Sequence, residues 1–156
     1  MPVFARMMFG LVSWAARNGL SAEMSGSPAK SKQQARHTGI RGETYAYWYL
    51  RRQGYVMIAR NFTVPGSKGE IDLVGYDGPV LAFVEVKTRA GASEEFGKPE
   101  DAVTPEKRRI LSRMARHFLA DRRIPEVMCR FDVLALESRT GRRPVARLHK
   151  GAFVAD

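Results

Sequence analysis

Residues 69–89 read Gly-Glu-Ile-Asp-Leu-Val-Gly-Tyr-Asp-Gly-Pro-Val-Leu-Ala-Phe-Val-Glu-Val-Lys-Thr-Arg, two apolar-rich runs either side of an Asp77-Gly78 turn signal. A tight turn fixes which side chains of a hairpin share a face. With Asp77-Gly78 as the loop, Tyr76 pairs with Pro79, Val74 with Leu81, Asp72 with Phe83 and Glu70 with Glu85. Opposed residues point to the same side, so Glu70, Asp72, Glu85 and Lys87 emerge together, while Ile71, Leu73, Val84 and Val86 point to the other face. In this register Asp72 and Glu85 are diagonal neighbours, their backbones roughly 7–8 Å apart across the pair, close enough for both carboxylates to reach one hard cation.

Two like charges beside one strand destabilise each other unless a proton or cation lies between them, and hard oxygen donors suit Mg²⁺ or Mn²⁺. Such an ion stabilises charge developing on a phosphorus centre. Lys87, two residues after Glu85 on the same face, can orient an attacking water or neutralise the reacting phosphate. The carbonyl of Val86 is a further candidate ligand. On its own, Glu85-Val86-Lys87 is more simply a solvated strand face with salt bridges; the convergence of further carboxylates turns the reading toward a metal site.

One of those carboxylates comes from upstream. Residues 41–53 have helical periodicity and Gly54 stops them. At about 100° per residue, Glu43 shares a face with Ala46, Tyr47 and Leu50, so an acid lies on the stripe that packs inward, a costly placement unless the acid is paired or used. Tyr55–Val64 reads as a strand, residues 65–69 as a loop, Glu70–Tyr76 and Val80–Arg89 as strands, and residues 90–103 as a loop. Thr104 as N-cap and Pro105 as first helical residue open a helix to about Arg123. Ile110, Leu111, Met114 and Phe118 form its buried stripe, Arg109, Arg113, Arg116 and Arg123 its solvated side, and Lys107 falls within the buried stripe near the N-terminus, where it can reach a bound phosphate. Phe131–Leu136 is expected as a strand, residues 139–144 as a basic turn and Val145–Phe153 as a short last element.

The chain has 156 residues, room for a single compact domain, and its 26 basic against 16 acidic side chains give +10 and favour a polyanionic partner. The distribution is uneven. Residues 1–38 hold five basic and one acidic side chain, residues 39–104 eight and nine, and residues 105–156 thirteen and six, so positive flanks surround a slightly acidic middle. One cysteine, Cys129, excludes an intrachain disulfide and any multi-cysteine zinc site and fits a reducing compartment, which makes the cytoplasm the expected location. The three histidines have no metal spacing and no nucleophilic partner.

At the N-terminus, Phe4, Met7, Met8, Leu11 and Ala15 make an amphipathic stripe too short for a membrane span, and residues 21–38 read as a flexible tether. We therefore expect an extension over 1–38 and a domain over 39–156, with no stable membrane insertion. A membrane-surface adaptor using residues 3–17 is a separate class that vesicle flotation would test.

Asp72, twelve intervening residues and Glu85-Val86-Lys87 resemble the signature of the PD-(D/E)xK nuclease superfamily. More closely, Gly42-Glu43, Gly69-Glu70-Ile71-Asp72-Leu73, Phe83-Val84-Glu85-Val86-Lys87-Thr88-Arg89, Phe96-Gly97, Ala102-Val103-Thr104 with Lys107-Arg108-Arg109, and Arg130-Phe131-Asp132-Val133 resemble the YraN family, bacterial proteins grouped with Holliday-junction-resolvase-like and restriction-endonuclease-like folds. The likeness runs from about Gly39 to Phe153. It implies an α/β, restriction-endonuclease-like mixed sheet flanked by helices, with Asp72 and Glu85 as ligands of Mg²⁺ or Mn²⁺, Lys87 as catalytic lysine and Glu43 reaching the site from the first helix. Ile71 stands where the superfamily has proline, and residues 1–38 lie outside the pattern.

The expectation is a metal-dependent endonuclease acting on DNA, including branched or structured DNA, with Glu43 and Glu70 serving a second ion or the water network. Lys107, Arg89, Arg142 and Arg143 are expected to hold backbone phosphates, and a homodimer would suit concerted cutting of two strands. The alternative is a nucleic-acid-binding module that keeps the fold without turnover.

Overall fold

The computed structural model describes residues 2–19, 41–90, 102–138 and 141–155. Five strands, β1 (Val56–Phe62), β2 (Ile71–Asp77), β3 (Val80–Ala90), β4 (Cys129–Ser138) and β5 (Val145–Phe153), lie in chain order in one sheet. Every neighbouring pair is antiparallel except β3 and β4, so the sheet is mixed. A parallel pair needs a crossover, and helix α3 (Pro105–Asp121) supplies it. Helices α1 (Pro2–Gly19) and α2 (residues 41–52) precede the sheet. The class is α/β, as the sequence predicts.

Alternation along the strands divides the core into two layers. On one face Phe9 of α1 and Tyr45, Ala46 and Leu50 of α2 pack against Leu73, Ala82, Val84, Leu134 and Leu136. On the other, Leu111, Met114, Ala115 and Phe118 of α3 meet Val74, Leu81, Phe83, Val133 and Phe153. The helix ends follow local chemistry. Thr104 accepts the Lys107 amide at 3.2 Å and caps α3, with proline next in line. After α2, Gly54 at φ 98° lets its own amide reach Arg51 O and the Tyr55 amide reach Leu50 O, both at 3.1 Å, a Schellman closure that also seats Tyr55 beside Leu50 in the core.

Two details of the expected hairpin are corrected. The loop is Gly78-Pro79, with Asp77 opposite Val80 and Leu73 opposite Val84. Asp77 stays in the ladder because Arg130 and Lys150 hold its carboxylate at 2.7 and 2.6 Å, while Gly78 takes φ 58° and Pro79 follows with the negative φ its ring imposes. A two-residue slip preserves which side chains share a face, so the predicted acidic face survives it. The second correction concerns Ile71. It packs with the α3-side layer rather than beside Leu73, at the end of β2 where pairing with β3 stops and only β1 continues through Phe62.

The strands are otherwise near their expected bounds, with β4 longer than foreseen and α3 ending at Asp121. The expected tether over 21–38, the Phe96-Gly97 motif and Arg139 lie outside the described residues.

Candidate metal centre

The site forms where β2 and β3 part. Their ladder ends at Leu73 and Val84, and Asp72 and Glu85 are the next residues beyond it on the two strands. Beyond that point the Val86 amide has no β2 carbonyl to reach, and it donates instead to Asp72 Oδ2 at 2.7 Å. The Asp72 side chain thus closes the fork that its own strand opens, leaving Oδ1 free of that bond.

Both acids are buried, Asp72 at 8% and Glu85 at 5% exposure. Glu85 Oε1 receives two ammonium groups, Lys87 Nζ at 3.0 Å from the same strand and Lys107 Nζ at 3.5 Å from the first turn of α3. Its other oxygen, Oε2, is buried with no hydrogen-bond partner. An orphaned carboxylate oxygen is expensive to bury, and it marks a place where a cation would restore the balance.

On the other side of Asp72, carboxylate oxygens of Glu43, Glu70 and Asp72 lie within 4.8 Å of one another. Each is brought in by a different local device. Gly69 at φ 100° turns the chain into β2 so that Glu70 precedes Asp72 at the strand start. A β-carbon there would stand 2.4 Å from Ile110 Cγ2 of α3, so glycine also permits that close approach. Gly42 does the same for α2, since a β-carbon would come within 2.3 Å of Thr88 Oγ1. This contact presses the start of α2 onto β3 and delivers the half-buried Glu43. Glu43 Oε2 then accepts from Asn61 Nδ2 at 2.9 Å.

Asn61 escapes the sequence reading. It takes φ 48° within β1, a left-handed conformation that asparagine tolerates better than most other side-chain-bearing residues, and that residue type is the one available hint. The neighbouring Arg60 braces the same helix, donating to Thr44 Oγ1 at 3.3 Å and lying over the Tyr47 ring.

Electrostatics follow from this crowding. Asp72 is pushed up to about 7, first by burial and then by the Glu85 charge, against the lowering effect of the Val86 amide; Glu43 adds to the rise and Lys107 opposes it. Four carboxylates and two lysines leave an excess of negative charge in a partly desolvated fork. The donors are all hard oxygens, the set that suits Mg²⁺ or Mn²⁺. The residues therefore fit a divalent ion on two independent grounds, the acidic cluster and the orphaned Glu85 oxygen.

Of the residues foreseen, the structure brings together Glu43, Glu70, Asp72, Glu85, Val86, Lys87 and Lys107. Arg89 is exposed at the far end of β3. Arg142 and Arg143 are exposed on the β4–β5 turn, on the side of Tyr45, whose hydroxyl donates to Pro144 O at 3.3 Å. They border the sheet end to which β3 runs, since Arg89 lies opposite Glu137 near the start of that turn.

Comparison with known proteins bears on the same residues. The profile of the uncharacterised protein family UPF0102 matches residues 42–136. A UPF0102 protein of Symbiobacterium thermophilum is 45% identical over 121 residues, 78% of this chain and 99% of the relative. The chain belongs to the UPF0102 family. A UPF0102 protein of Geobacter sulfurreducens is 47% identical over 98 residues, 63% of this chain and 73% of its own. One of Koribacter versatilis is 44% identical over 92 residues, with 63% of its length spanned. The UPF0102 match is the YraN family expected from the motifs, and it contains all seven residues gathered at the fork while beginning beyond α1.

Proposed function

We propose that this UPF0102 protein hydrolyses phosphodiester bonds in DNA with Mg²⁺ or Mn²⁺ held in the β2–β3 fork. The observation that carries the reading is the buried, unpartnered oxygen of Glu85 at the β2–β3 fork, with two lysines on the same carboxylate. A structural salt bridge has no use for a second carboxylate opposite the first, nor for a third and fourth beside it. Asp72, Glu85 and the Val86 carbonyl would hold the ion, with Glu43 and Glu70 completing its surroundings or ordering water. When bound, the ion supplies Lewis-acid stabilisation of charge on the phosphate oxygens.

The chain's own groups do the rest. Lys87, its side chain 38% exposed and its ammonium 3.0 Å from Glu85, would orient a water and shield the negative charge that develops as it approaches phosphorus. Lys107 Nζ, rooted in the first turn of α3, is placed to hold a non-bridging oxygen, in a helix end that itself favours anions. Arg89, Arg142 and Arg143 extend positive charge along that end of the sheet toward neighbouring phosphates. Partners are therefore read as DNA, with branched or structured forms the first to try.

The test is cleavage of duplex, single-stranded and four-way-junction DNA with Mn²⁺, comparing the native chain with Asp72→Ala and Lys87→Ala. Both substitutions should lower the rate, Lys87→Ala by roughly 10²–10⁴-fold. EDTA should abolish turnover while DNA binding persists, with log K falling by about 0.9 per phosphate contact for each unit of log salt. Unchanged activity in both variants would overturn the mechanism. Salt-sensitive binding with no cleavage by the native chain would favour a binding module on the same fold.

A further inference from the structure

We propose that α1 is an in-plane anchor that seats the protein on an anionic lipid surface. Helix α1 has two apolar faces. Ala5 and Phe9, with Val12 and Ser13 alongside, face the protein, where Phe9 packs against Tyr45 and Tyr49 of α2 at ring separations of 5.2 and 6.0 Å. The opposite side carries Val3, Phe4, Met7, Leu11 and Trp14, between 51% and 77% exposed. At helical pitch these five fall within an arc of about 100°, the width of a stripe that a soluble helix normally buries. They are five of the eight large apolar side chains that stand exposed among the described residues. Of the five, Phe4 alone makes a ring contact with the rest of the fold among the described residues, against Trp48 of α2, and the family match begins at residue 42, beyond this helix.

Charge identifies the occupant. Residues 2–19 contain Arg6 and Arg17 and no acid. From α2 comes Arg51, over Trp48, which in turn meets Phe4 edge-on at 6.1 Å, whereas Arg52 lies over the inward-facing Phe9 ring. An apolar centre bearing tryptophan, phenylalanine, leucine and methionine with an arginine fringe matches acyl chains below and headgroup phosphates around. A second copy is the poorer occupant, because a two-fold contact would set the same arginines against their own images. No described helix is long and apolar enough to cross a membrane, so the helix would lie in the interface rather than span it.

The test is flotation of the full chain with phosphatidylcholine vesicles, with and without phosphatidylglycerol. Trp14 lies on this surface and Trp48, the chain's other tryptophan, borders it through Phe4, so burial of the surface is reported by a blue shift in emission. Co-flotation with the anionic vesicles alone is expected, lost in Leu11→Glu with Trp14→Glu and in the milder pair Met7→Gln with Leu11→Gln. Arg6→Gln should lower partitioning about fivefold at low salt. The proposal is overturned if the native chain stays unbound, if either double variant floats as well as the native chain, or if the native chain sediments as a dimer that the double variants dissolve.

Discussion

Asp72 is held in a state that the fold alone would not choose. Its pKa, raised from 3.8 to about 7, means that the folded chain favours the protonated form. The stabilising contribution of that proton is full below the ordinary carboxylate range and is lost as pH rises toward 7. Above pH 7 a divalent ion held in the fork as proposed would take the proton's place, and metal affinity should fall about tenfold per pH unit below it, as one proton is displaced. Asp72→Asn mimics the neutral form. In EDTA at pH 8 it should raise the melting temperature by about 2–4 °C for each kcal/mol recovered. In Mn²⁺ the native chain should gain stability and the variant should not. Thermal melts of both chains at pH 5 and 8, with and without metal, check this; a lower melting temperature for the variant in EDTA at pH 8 would mean that the carboxylate is paired, not strained. At this scale the acids and lysines of the site are legible in the sequence, because strand and helix periods assign faces without knowledge of contacts. Asn61 is not, because its hold on Glu43 depends on one left-handed φ that periodicity does not encode.

Elements meet at the site through glycines. Helix α2 approaches β3 so closely at Gly42 that a β-carbon would overlap Thr88 Oγ1. Gly42→Ala should therefore cost about 1–3 kcal/mol and draw Glu43 away from Asp72. Thr88→Ala removes the 2.3 Å neighbour and leaves the Thr88 β-carbon at 3.4 Å, an ordinary contact, so the double substitution should regain most of the loss. Denaturant melts of the two single variants and the double variant test it; strictly additive losses would show that the contact does not set the distance between α2 and β3. The same pair marks where the fold is legible and where it is not. The spacing that makes α2 amphipathic, the Gly54 stop, the Thr104 cap and the alternation of β3 and of β2 beyond Ile71 are local, and each is read correctly. The hairpin register slips because Asp-Gly and Gly-Pro both satisfy a two-residue turn, and the choice falls to Arg130 and Lys150, more than fifty residues away, which hold Asp77 in the ladder. The parallel pairing of β3 with β4 and the edge position of β1 are tertiary choices that no single segment states.

Across the whole molecule the two ends of the sheet treat charge in opposite ways. At the Asp77 end the two strand acids are paired: Arg130 bonds Asp132 at 2.7 Å, Asp77 at 2.7 Å and the Tyr55 hydroxyl at 3.1 Å, while the Gly151 amide reaches Asp132 Oδ1 at 2.9 Å. One guanidinium thus ties β2, β4 and the segment after α2, and the acid it neutralises, Asp132, is fully buried. Asp77 is correspondingly lowered by Lys150 and Arg130, so its contribution is present above the ordinary carboxylate range and lost as pH falls. At the Asp72 end, acids outnumber cations and one oxygen has no partner. Arg130→Met leaves Asp132 buried without its cation and should cost about 3 kcal/mol, whereas Asp72→Asn should add stability in EDTA above pH 7. Asp77 is five residue steps along the strand from Asp72, about 17 Å at strand rise, which is beyond direct contact and leaves the two groups no shared partner. The double variant Arg130→Met with Asp72→Asn should therefore melt at the sum of the two effects, to within about 0.5 kcal/mol. A larger discrepancy would mean that the salt-bridge network reaches through the sheet to hold the fork open, and that the stability of one end sets the metal affinity of the other.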